Sequence, residues 1–577
     1  MHTYLNSKKS DFQTTIEHLQ KELGSLRTGR ATPALVEDIV VNAYGSTMEI
    51  RGLASLNVPD SRTVVIDPWD KSLIQNIEKG IRDAGIGLSP VVDGSVLRIM
   101  VPQMTEENRK QIVKVLKEKL EDARIRLRGF REEIREEILK REKEKKKENF
   151  LKTKNLSCSM NYGGLANSWD YGPLGVELKR NIVEAWWKRF VTSRKDMVGI
   201  DAAIIMNPKV WEASGHTAEF TDPLVECKKC HTRFRADQIS VTDACANCGA
   251  KNEFTQSKNF NLMFKTFLGS TEDDSSVAYL RGELAQGMFV DFPAVIQTSR
   301  KRVPFGIAQT GKCFRNEITP GNFIFRTREF NLMEFEFFVN PSEWEKWFEY
   351  WLGEMKSWLS FLGVKVDQFI LHEIPDGERA HYSKRTVDIE YNYPFGQKEL
   401  YGIAYRTDFD LKNHMEKSGK DMRYTDPMSG EKYIPHVIEP TFGIDRTVLV
   451  TLLSAYTEEE VSTAEEGETD SRIVLKLPKA LAPFKIAVLP LSKKPELNAV
   501  AEPISEKLRA RWSVDYDETQ SIGKRYRRQD EIGTPYCVTV DFDSLNDQAV
   551  TIRDRDSMKQ VRIKIDELEQ WFEKELK

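Results

Sequence analysis

The residues from Lys312 to Val339, KCFRNEITPGNFIFRTREFNLMEFEFFV, constrain this chain more than any other stretch. Two arginine-bearing segments, Phe314-Arg315-Asn316-Glu317 and Arg326-Thr327-Arg328-Glu329-Phe330, flank the turn-forming Thr319-Pro320-Gly321-Asn322. Alternating aromatic-rich runs on both sides of such a turn predict an antiparallel hairpin. Arginine forks match phosphate oxygens, and an aromatic face stacks on a flat ring. Arg315, Glu317, Arg326 and Phe330 are therefore candidates to hold one ligand carrying both. The plain alternative is a charged surface hairpin.

The hairpin is a small part of the molecule. A chain of 577 residues exceeds one core, and roughly 150 residues per domain suggests about four domains. With a net charge of -4, nucleic-acid binding has to come from local basic patches rather than a global field. No run of about 18 apolar residues offers a membrane span, and MHTYLNSKKSDF lacks the apolar core of a signal peptide. Of seven cysteines, Cys227, Cys230, Cys245 and Cys248 form two C-x2-C pairs with fourteen residues between them. That spacing favours a metal over disulfides and predicts a tetrahedral Zn²⁺ site on thiolates, with an empty site as the alternative. Cys313 and Cys537 read as ordinary buried residues. A reducing cytoplasm is the matching compartment.

In the first 150 residues, Phe12, Ile16, Leu19, Leu23 and Leu26 recur at helical spacing over residues 5–28. Short alternating runs from Leu35 to Val101, with a helix near Ser72 to Ala84, predict a small inserted α/β module. Thr105 to about Glu148 reads as one long helix, whose stripe from Ile112 through Leu120 and Phe130 to Ile138 suits a bundle. Arg124, Arg126, Arg128 and Arg131 crowd its middle, either as a solvated charged face or as a phosphate-contacting patch on RNA.

LRTGRATPALVEDIVV (26–41), SLNVPDSRTVVIDPWDKS (55–72) and TEENRKQIVKVLKEKLEDARIRLRGFRE (105–132) resemble ribosome recycling factor. The resemblance implies a three-helix bundle with a hinged α/β domain, binding between ribosomal subunits. Arg109, Arg128 and Arg131 match that family's rRNA-contacting arginines. The family's third bundle helix has no counterpart here, which leaves apolar faces of the first two partly uncovered. Residues 1–149 are thus expected to be a truncated module with residues 30–104 inserted. A junction without clear pattern follows at 150–161.

From Tyr162 the sequence resembles class II glycyl-tRNA synthetase of the homodimeric type, carried by YGGLANSWDYGPLG (162–175), WEASGH (211–216), FRNE…RTREF and EPTFGIDRTVL (439–449). The resemblance implies an antiparallel-sheet catalytic domain over 162–470, with a zinc-ribbon-like insertion at 222–255 near the tRNA acceptor end. A C-terminal α/β anticodon-binding domain is implied over 471–577. The whole would be a multidomain α+β protein.

By that resemblance the chain joins glycine to ATP and moves the glycyl group to tRNA(Gly), with Mg²⁺ as cofactor and a homodimer formed through the first class II motif. Arg315, Arg326 and Arg446 carry the catalytic positions. Asn316, Glu317, Phe325, Phe330, Glu399, Leu400, Gly443, Ile444 and Asp445 join those three arginines in the ATP site, with Glu399 able to hold Mg²⁺. Glycine falls to Arg235, Glu283, Phe330, Asn331, Leu332, Met333, Glu334, Glu439, Pro440, Thr441, Phe442 and Gly443. Three departures stand out. Thr441 replaces Ser, Gly282 replaces Pro and is expected to loosen the backbone carrying Glu283, and Tyr405 replaces Asn.

After an acidic loop over Glu458 to Asp470, PFKIAVLPL (483–491) and the runs beyond it alternate strand and helix, predicting a partly parallel sheet. Lys524, Arg525, Arg527 and Arg528, interleaved with Tyr526, are either an RNA-contacting patch or a charged helix surface. A second functional class stays open: a ribosome-binding recycling factor with the synthetase half as a fused neighbour. The synthetase half is also trimmed at the seam, with Met160 and Asn161 where Glu and Ile are usual. The chain is therefore expected to be a fusion, or a mis-joined reading, of two translation genes.

Overall fold

The computed structural model describes residues 2–24, 31–85, 87–102, 105–157, 168–239, 244–251, 253–462 and 469–576. The chain divides into two compact units, Met1–Lys145 and Lys146–Lys577. No helix among the described residues is long and apolar enough to cross a membrane.

The first unit opens with α1 (His2–Gly24) and continues through β1 (Val40–Ala43), β2 (Ser46–Glu49), β3 (Ala54–Asp60), β4 (Thr63–Pro68), α2 (Ile74–Asp83), β5 (Pro90–Asp93) and β6 (Val96–Met100) to α3 (Glu106–Asn155). β1 and β2 form a hairpin, and the remaining strands form a sheet in the order β3-β4-β6-β5. Alternate residues Val64, Ile66, Leu97 and Ile99 point to one face and are buried with Ile77 and Ile81 of α2, the period-two and period-3.6 patterns meeting in one core. α1 meets α3 through Phe12 and Phe130, with ring centroids 5.6 Å apart, and through a 2.7 Å ion pair between Lys8 and Glu133. Strands β1 to β6 and helix α2 thus lie between α1 and α3 in the chain. Arg27 to Arg30, where the first helix was expected to end, lie outside the described residues.

The long helix differs from expectation at its far end. It runs past its expected end near Glu148 and through the first half of the expected junction to Asn155, and Leu156–Ser157 then form β7, paired with β8 (Asp170–Tyr171). Residues 130–162 contain no Gly or Pro, and Lys and Glu are good helix formers, so nothing local stops the helix. Cys158, Met160, Asn161 and Gly163-Gly164 lie outside the described residues.

The second unit continues with α4 (Pro173–Trp187), β9 (Met197–Gly199), α5 (Pro208–Ala213), α6 (His216–Glu219), β10 (Thr221–Glu226), β11 (Arg233–Arg235), β12 (Lys258–Asn261), β13 (Phe264–Phe267), β14 (Val277–Leu280) and α7 (Ala285–Ser299). Then come β15 (Phe305–Phe314), β16 (Glu329–Val339), α8 (Trp344–Phe361), β17 (Phe369–Glu373), β18 (Arg385–Tyr393), β19 (Gly396–Thr407), α9 (Phe409–Ser418), β20 (Tyr424–Thr425), β21 (Lys432–Tyr433), β22 (His436–Gly443) and α10 (Ile444–Ala455). Seven strands form the central sheet in the order β17-β18-β19-β22-β16-β15-β9. It is antiparallel except where β15 lies parallel to β9.

Strand alternation decides what each face of this sheet carries. Met333, Phe335 and Phe337 of β16, Tyr401 and Ile403 of β19, and Ile438 and Phe442 of β22 enter an aromatic core with Trp186, Phe190, Trp351 and Trp358. The residues between them face the other way, and those on β16 and β22 include Glu334, Glu336, Glu439 and Thr441. Tyr405 stacks on Trp344 with centroids 4.0 Å apart, so this departure from the family sits in the core.

The expected acidic loop is instead a hairpin of β23 (Tyr456–Ser462) and β24 (Thr469–Leu475). Its register sets Glu459 opposite Arg472, whose guanidinium binds that carboxylate at 2.6 Å. The C-terminal part follows as β25 (Ile486–Pro490), α11 (Pro495–Arg509), β26 (Val514–Tyr516), α12 (Ile522–Ile532), β27 (Tyr536–Val540), α13 (Ser544–Asp547), β28 (Ala549–Asp554), β29 (Gln560–Lys564) and α14 (Leu568–Glu575). Its sheet, β26-β25-β27-β28-β29, is parallel over the first three strands and antiparallel beyond them, as the sequence suggested.

Candidate active site

β15 and β16 form the expected hairpin, but pairing ends at Phe314 and Glu329. The arginine segments therefore belong largely to a connecting loop longer than a tight turn. Phe323, Ile324 and Phe325 bury their side chains against the aromatic core and anchor that loop, while Asn322 and Phe323 take left-handed backbone at φ 55° and 62°. The backbone N–H of Arg315 donates to the Arg328 carbonyl at 2.9 Å, which sets the two segments side by side.

They open onto a cleft with about 770 Å³ of free space, lined by Arg315, Glu317, Phe325, Arg326, Phe330 and Thr441 among others. Arg315 donates from Nε to the Gly282 carbonyl at 3.1 Å, and its guanidinium lies 5.2 Å from the Phe220 ring and 5.3 Å from the Phe330 ring. The four remaining N–H donors of its guanidinium have no hydrogen-bond partner among the described residues, and the side chain lines the cleft. Glu317 is buried with Oε2 lacking a hydrogen-bond partner, and Arg326 stands 3.8 Å away. Such an acceptor, beside a flat aromatic ring, suits an exocyclic amine.

Across the cleft, Arg446 donates from Nη1 to the Glu399 backbone oxygen at 3.1 Å and pairs with its carboxylate at 3.2 Å. The Arg446 charge holds Glu399 below the usual carboxylate range. Asp445 accepts from Tyr171 Oη at 2.6 Å, Lys179 Nζ at 3.2 Å and the Asn331 backbone N–H at 2.8 Å. It therefore ties β8 and α4 to β16 at the edge of the cleft. Behind Glu399, burial together with Glu399 and Glu390 pushes Asp388 up to about 7.

Thr441 leads from this cleft to a buried acidic floor. Its hydroxyl donates to Glu334 at 2.7 Å, and the Leu284 N–H donates to the same carboxylate at 3.0 Å. Glu439 accepts from Arg406 Nη1 at 2.6 Å, and Arg406 also forks onto both oxygens of Asp410 at 2.8 and 2.9 Å. Glu283 accepts from Gln286 at 2.8 Å and lies 3.2 Å from His216 Nε2. Burial pushes Glu283 up, but His216 and Arg406 outweigh it and hold the carboxyl below its usual range. A dense acidic floor with one arginine suits a small cationic group.

Several expected site residues are placed differently. Met333 and Phe442, turned from the cleft by strand parity, and Ile444, the first residue of α10, send their side chains into the aromatic core, so only their backbone can meet a ligand. Pro440 is buried on β22, and its position between Glu439 and Thr441 turns it away from their face. Arg235 binds Asp222 at 2.6 Å and Asp237 at 2.8 Å, and Asn316 donates its backbone N–H to Leu262; neither lines the cleft. Leu332, Leu400 and Gly443 do line it. Gly282 packs against Met263 and Phe220. A Cβ there would stand 3.3 Å from Met263 Sδ and 3.4 Å from Phe220.

Cys227, Cys230, Cys245 and Cys248 converge, with Sγ pairs Cys227–Cys248 and Cys230–Cys245 both at 3.7 Å. Zn–S bonds of about 2.3 Å make a tetrahedron with edges of about 3.8 Å, so the four sulfurs fit. Each knuckle folds alike: the N–H of His231 returns to the Cys227 carbonyl and that of Gly249 to the Cys245 carbonyl, both at 2.8 Å. Cys313 and Cys537 are buried.

Several arginines of the two proposed RNA patches have protein partners. On α3, Arg128 pairs with Glu121 at 3.4 Å and Arg131 with Glu132 at 2.7 Å; Arg109 falls outside the residues whose side chains are described. On α12, Arg525 is buried and donates to the Asp517 and Leu491 carbonyls at 3.0 and 3.1 Å, and Tyr526 binds Thr539. The run from Lys524 to Arg528 is therefore not one exposed patch. Helical spacing turns Arg525 inward and leaves Lys524, Arg527 and Arg528 beside Gln520 on the surface.

Three family models match. Residues 19–155 match "Ribosome recycling factor", residues 270–455 "tRNA synthetase class II core domain (G, H, P, S and T)" and residues 485–575 "Anticodon binding domain". A crystal structure of prolyl-tRNA synthetase from Cryptosporidium parvum, complexed with L-proline and AMP, shares the fold at a TM-score of 0.50 and 15% identity, covering 74% of this chain and 77% of that one. Sheet, arginine hairpin and core match together define a class II aminoacyl-tRNA synthetase, joined to a recycling-factor-like segment whose match ends where α3 ends. Glycine–tRNA ligase of Caldanaerobacter subterraneus subsp. tengcongensis is 55% identical over 443 residues, 72% of this chain and 94% of that protein. The enzyme of Acetivibrio thermocellus is 57% identical over 441 residues, 71% and 93%, and that of Clostridium acetobutylicum 54% over 444 residues, 72% and 94%. The chain belongs to the glycine–tRNA ligase family.

Proposed function

We propose that this chain activates glycine with ATP and transfers the glycyl group to tRNA(Gly). The observation that carries the reading is the convergence of Arg315, Glu317, Arg326, Phe330 and Arg446 on one cleft that adjoins, through Thr441, a buried acidic floor. Arg315 bridges the glycine carboxylate and the α-phosphate, where negative charge builds as the acyl phosphate forms. Glu317 accepts from the adenine amine and Phe330 stacks on the base. Arg326 and Arg446 hold the outer phosphates. Glu283, Glu334 and Glu439 receive the ammonium, and glycine is selected by exclusion of larger side chains. Catalysis is then positioning and charge stabilisation, with no protein acid or base required.

Glu399 would hold Mg²⁺, which supplies charge neutralisation at the phosphates when bound. The four cysteines suit a structural Zn²⁺ that steadies the β10–β12 insertion. An apolar groove along α4 and β9, lined by Val183, Trp187 and Ile200, supports a homodimer through the first class II motif. The domain limits 162–470 and 471–577 and a cytoplasmic setting complete this reading. Its test is charging of a tRNA(Gly) transcript with labelled glycine by the full chain. Glycylation of tRNA(Gly) and not of tRNA(Pro) is expected, and failure on tRNA(Gly) would refute it.

A ribosome-binding role for residues 1–149 is favoured by one observation, the α1–α3 pair with its inserted sheet in the segment that matches the recycling-factor model. Co-sedimentation of the full chain with ribosomes, weakened by Arg128→Glu and Arg131→Glu together, is the expected result. A chain that stays wholly in the supernatant rejects this role and leaves the ligase reading intact.

A further inference from the structure

Two residues beyond Glu334 on β16, Glu336 projects from the same strand face. It is wholly buried, and neither of its carboxyl oxygens has a hydrogen-bond partner. One oxygen from each of Glu334, Glu336 and Glu439 lies within 4.8 Å of the others. The donors of the floor are committed elsewhere. Thr441 and the Leu284 N–H serve Glu334, Arg406 serves Glu439 and Asp410, and Gln286 serves Glu283 and Asp410. Five carboxyls from β16, β22, α9 and the turn before α7 thus share a single arginine from β19, with His216 beside Glu283 at 3.2 Å.

An ionised carboxylate with no donor is the costliest member of such a set to keep buried. A proton distributed among these acids therefore settles on Glu336. Its surroundings agree: burial and then Glu439 push it well above the usual carboxylate range, against the pull of Arg406. Burial also pushes Glu439 well above that range and Glu334 up, but the 2.6 Å bond from Arg406 favours the charged form of Glu439, and the Thr441 and Leu284 donors favour that of Glu334.

We propose that Glu336 is a positioning residue that stands in the floor as a neutral acid and keeps Glu334 and Glu439 ionised for the ammonium of glycine. The inference rests on the glycine reading above. An ionised Glu336 would add a further negative charge beside Glu334 and Glu439 and drive a proton onto one of them. An apolar residue would remove the polar neighbour that supports both charges. A neutral polar group of the same shape satisfies both conditions.

The test compares full-length wild type, Glu336→Met and Glu336→Gln in glycine-dependent ATP–pyrophosphate exchange from about pH 6 to about pH 9. Glu336→Met is expected to raise the KM for glycine about tenfold while leaving that for ATP unchanged, and the rise grows as pH falls because Glu334 and Glu439 then protonate earlier. Glu336→Gln is expected to rescue the KM to within about threefold and restore the wild-type pH profile. Infrared spectra of wild type should show the C=O stretch of a buried protonated carboxyl that Glu336→Gln lacks. Loss in Glu336→Gln as deep as in Glu336→Met, a wild-type-like Glu336→Met, or no such band overturns the proposal. Should Glu336→Met not fold, the Gln variant and the band decide. Wild type inactive with glycine would instead refute the glycine reading, and the band would still report whether Glu336 carries the proton.

Discussion

Asp388 shows how the wall of the cleft changes an ordinary carboxyl. Burial and the nearby Glu399 and Glu390 raise it to about 7, against a usual Asp value of about 3.9. Between those values the folded chain keeps a proton that the unfolded chain has released, so stability falls as pH rises through that window and the full loss is present above about pH 7. Asp388→Asn removes the titration. Relative to wild type, the variant should gain nothing near pH 4 and about 1–2 kcal/mol above pH 7 once solvent screening is allowed for. Urea unfolding midpoints at both ends of the range measure this, and a gain independent of pH would contradict it. At the same scale, Arg315, Glu317 and Phe330 were legible in the sequence because their types and order already match a phosphate-and-ring ligand. Glu336 and the Tyr171–Asp445 bond were not. A glutamate without donors looks like any other until strand parity and its neighbours are known, and Tyr171 lies 274 residues from its acceptor.

At the scale of elements, periodicity located the strands and most helices, and the misses have physical causes. α3 runs on into the expected junction because that stretch contains neither Gly nor Pro. The acidic segment after α10 pairs as β23 and β24 because Arg472, buried with Glu459 and Asp530 at 2.6 and 3.0 Å, offsets the repulsion of its carboxylates. The run Lys524–Arg528 reads as one basic patch in one dimension, but α12 spreads it around a helix and turns Arg525 inward. Gly533 ends that helix at φ 87°, where a Cβ would stand 2.9 Å from Leu477 Cδ1 and 3.0 Å from the Leu475 carbonyl. Gly533→Ala should therefore lower stability by about 1–3 kcal/mol through left-handed strain and overlap. Thermal unfolding followed by circular dichroism tests this, and an unchanged midpoint would show that β24 gives way freely.

For the molecule as a whole, sequence motifs named both halves, since each carries runs of matching residues in order. They could not show what becomes of the seam, because a helix end and a two-residue strand depend on partners rather than on composition. Residues Leu156–Ser157 pair with Asp170–Tyr171, and Tyr171 holds Asp445 at the cleft edge, so the last described residues of the seam form part of the ligase fold. The acidic floor and the arginine cleft belong to the second unit alone, which makes glycine activation the function that the architecture supports directly. The decisive measurement is amino-acid-dependent ATP–pyrophosphate exchange by the full chain, with Arg315→Ala as the matched variant. Exchange with glycine, none above background with alanine, and its loss in Arg315→Ala by at least about a hundredfold are predicted. No exchange with glycine, equal exchange with alanine, or a normal rate in Arg315→Ala would contradict the account.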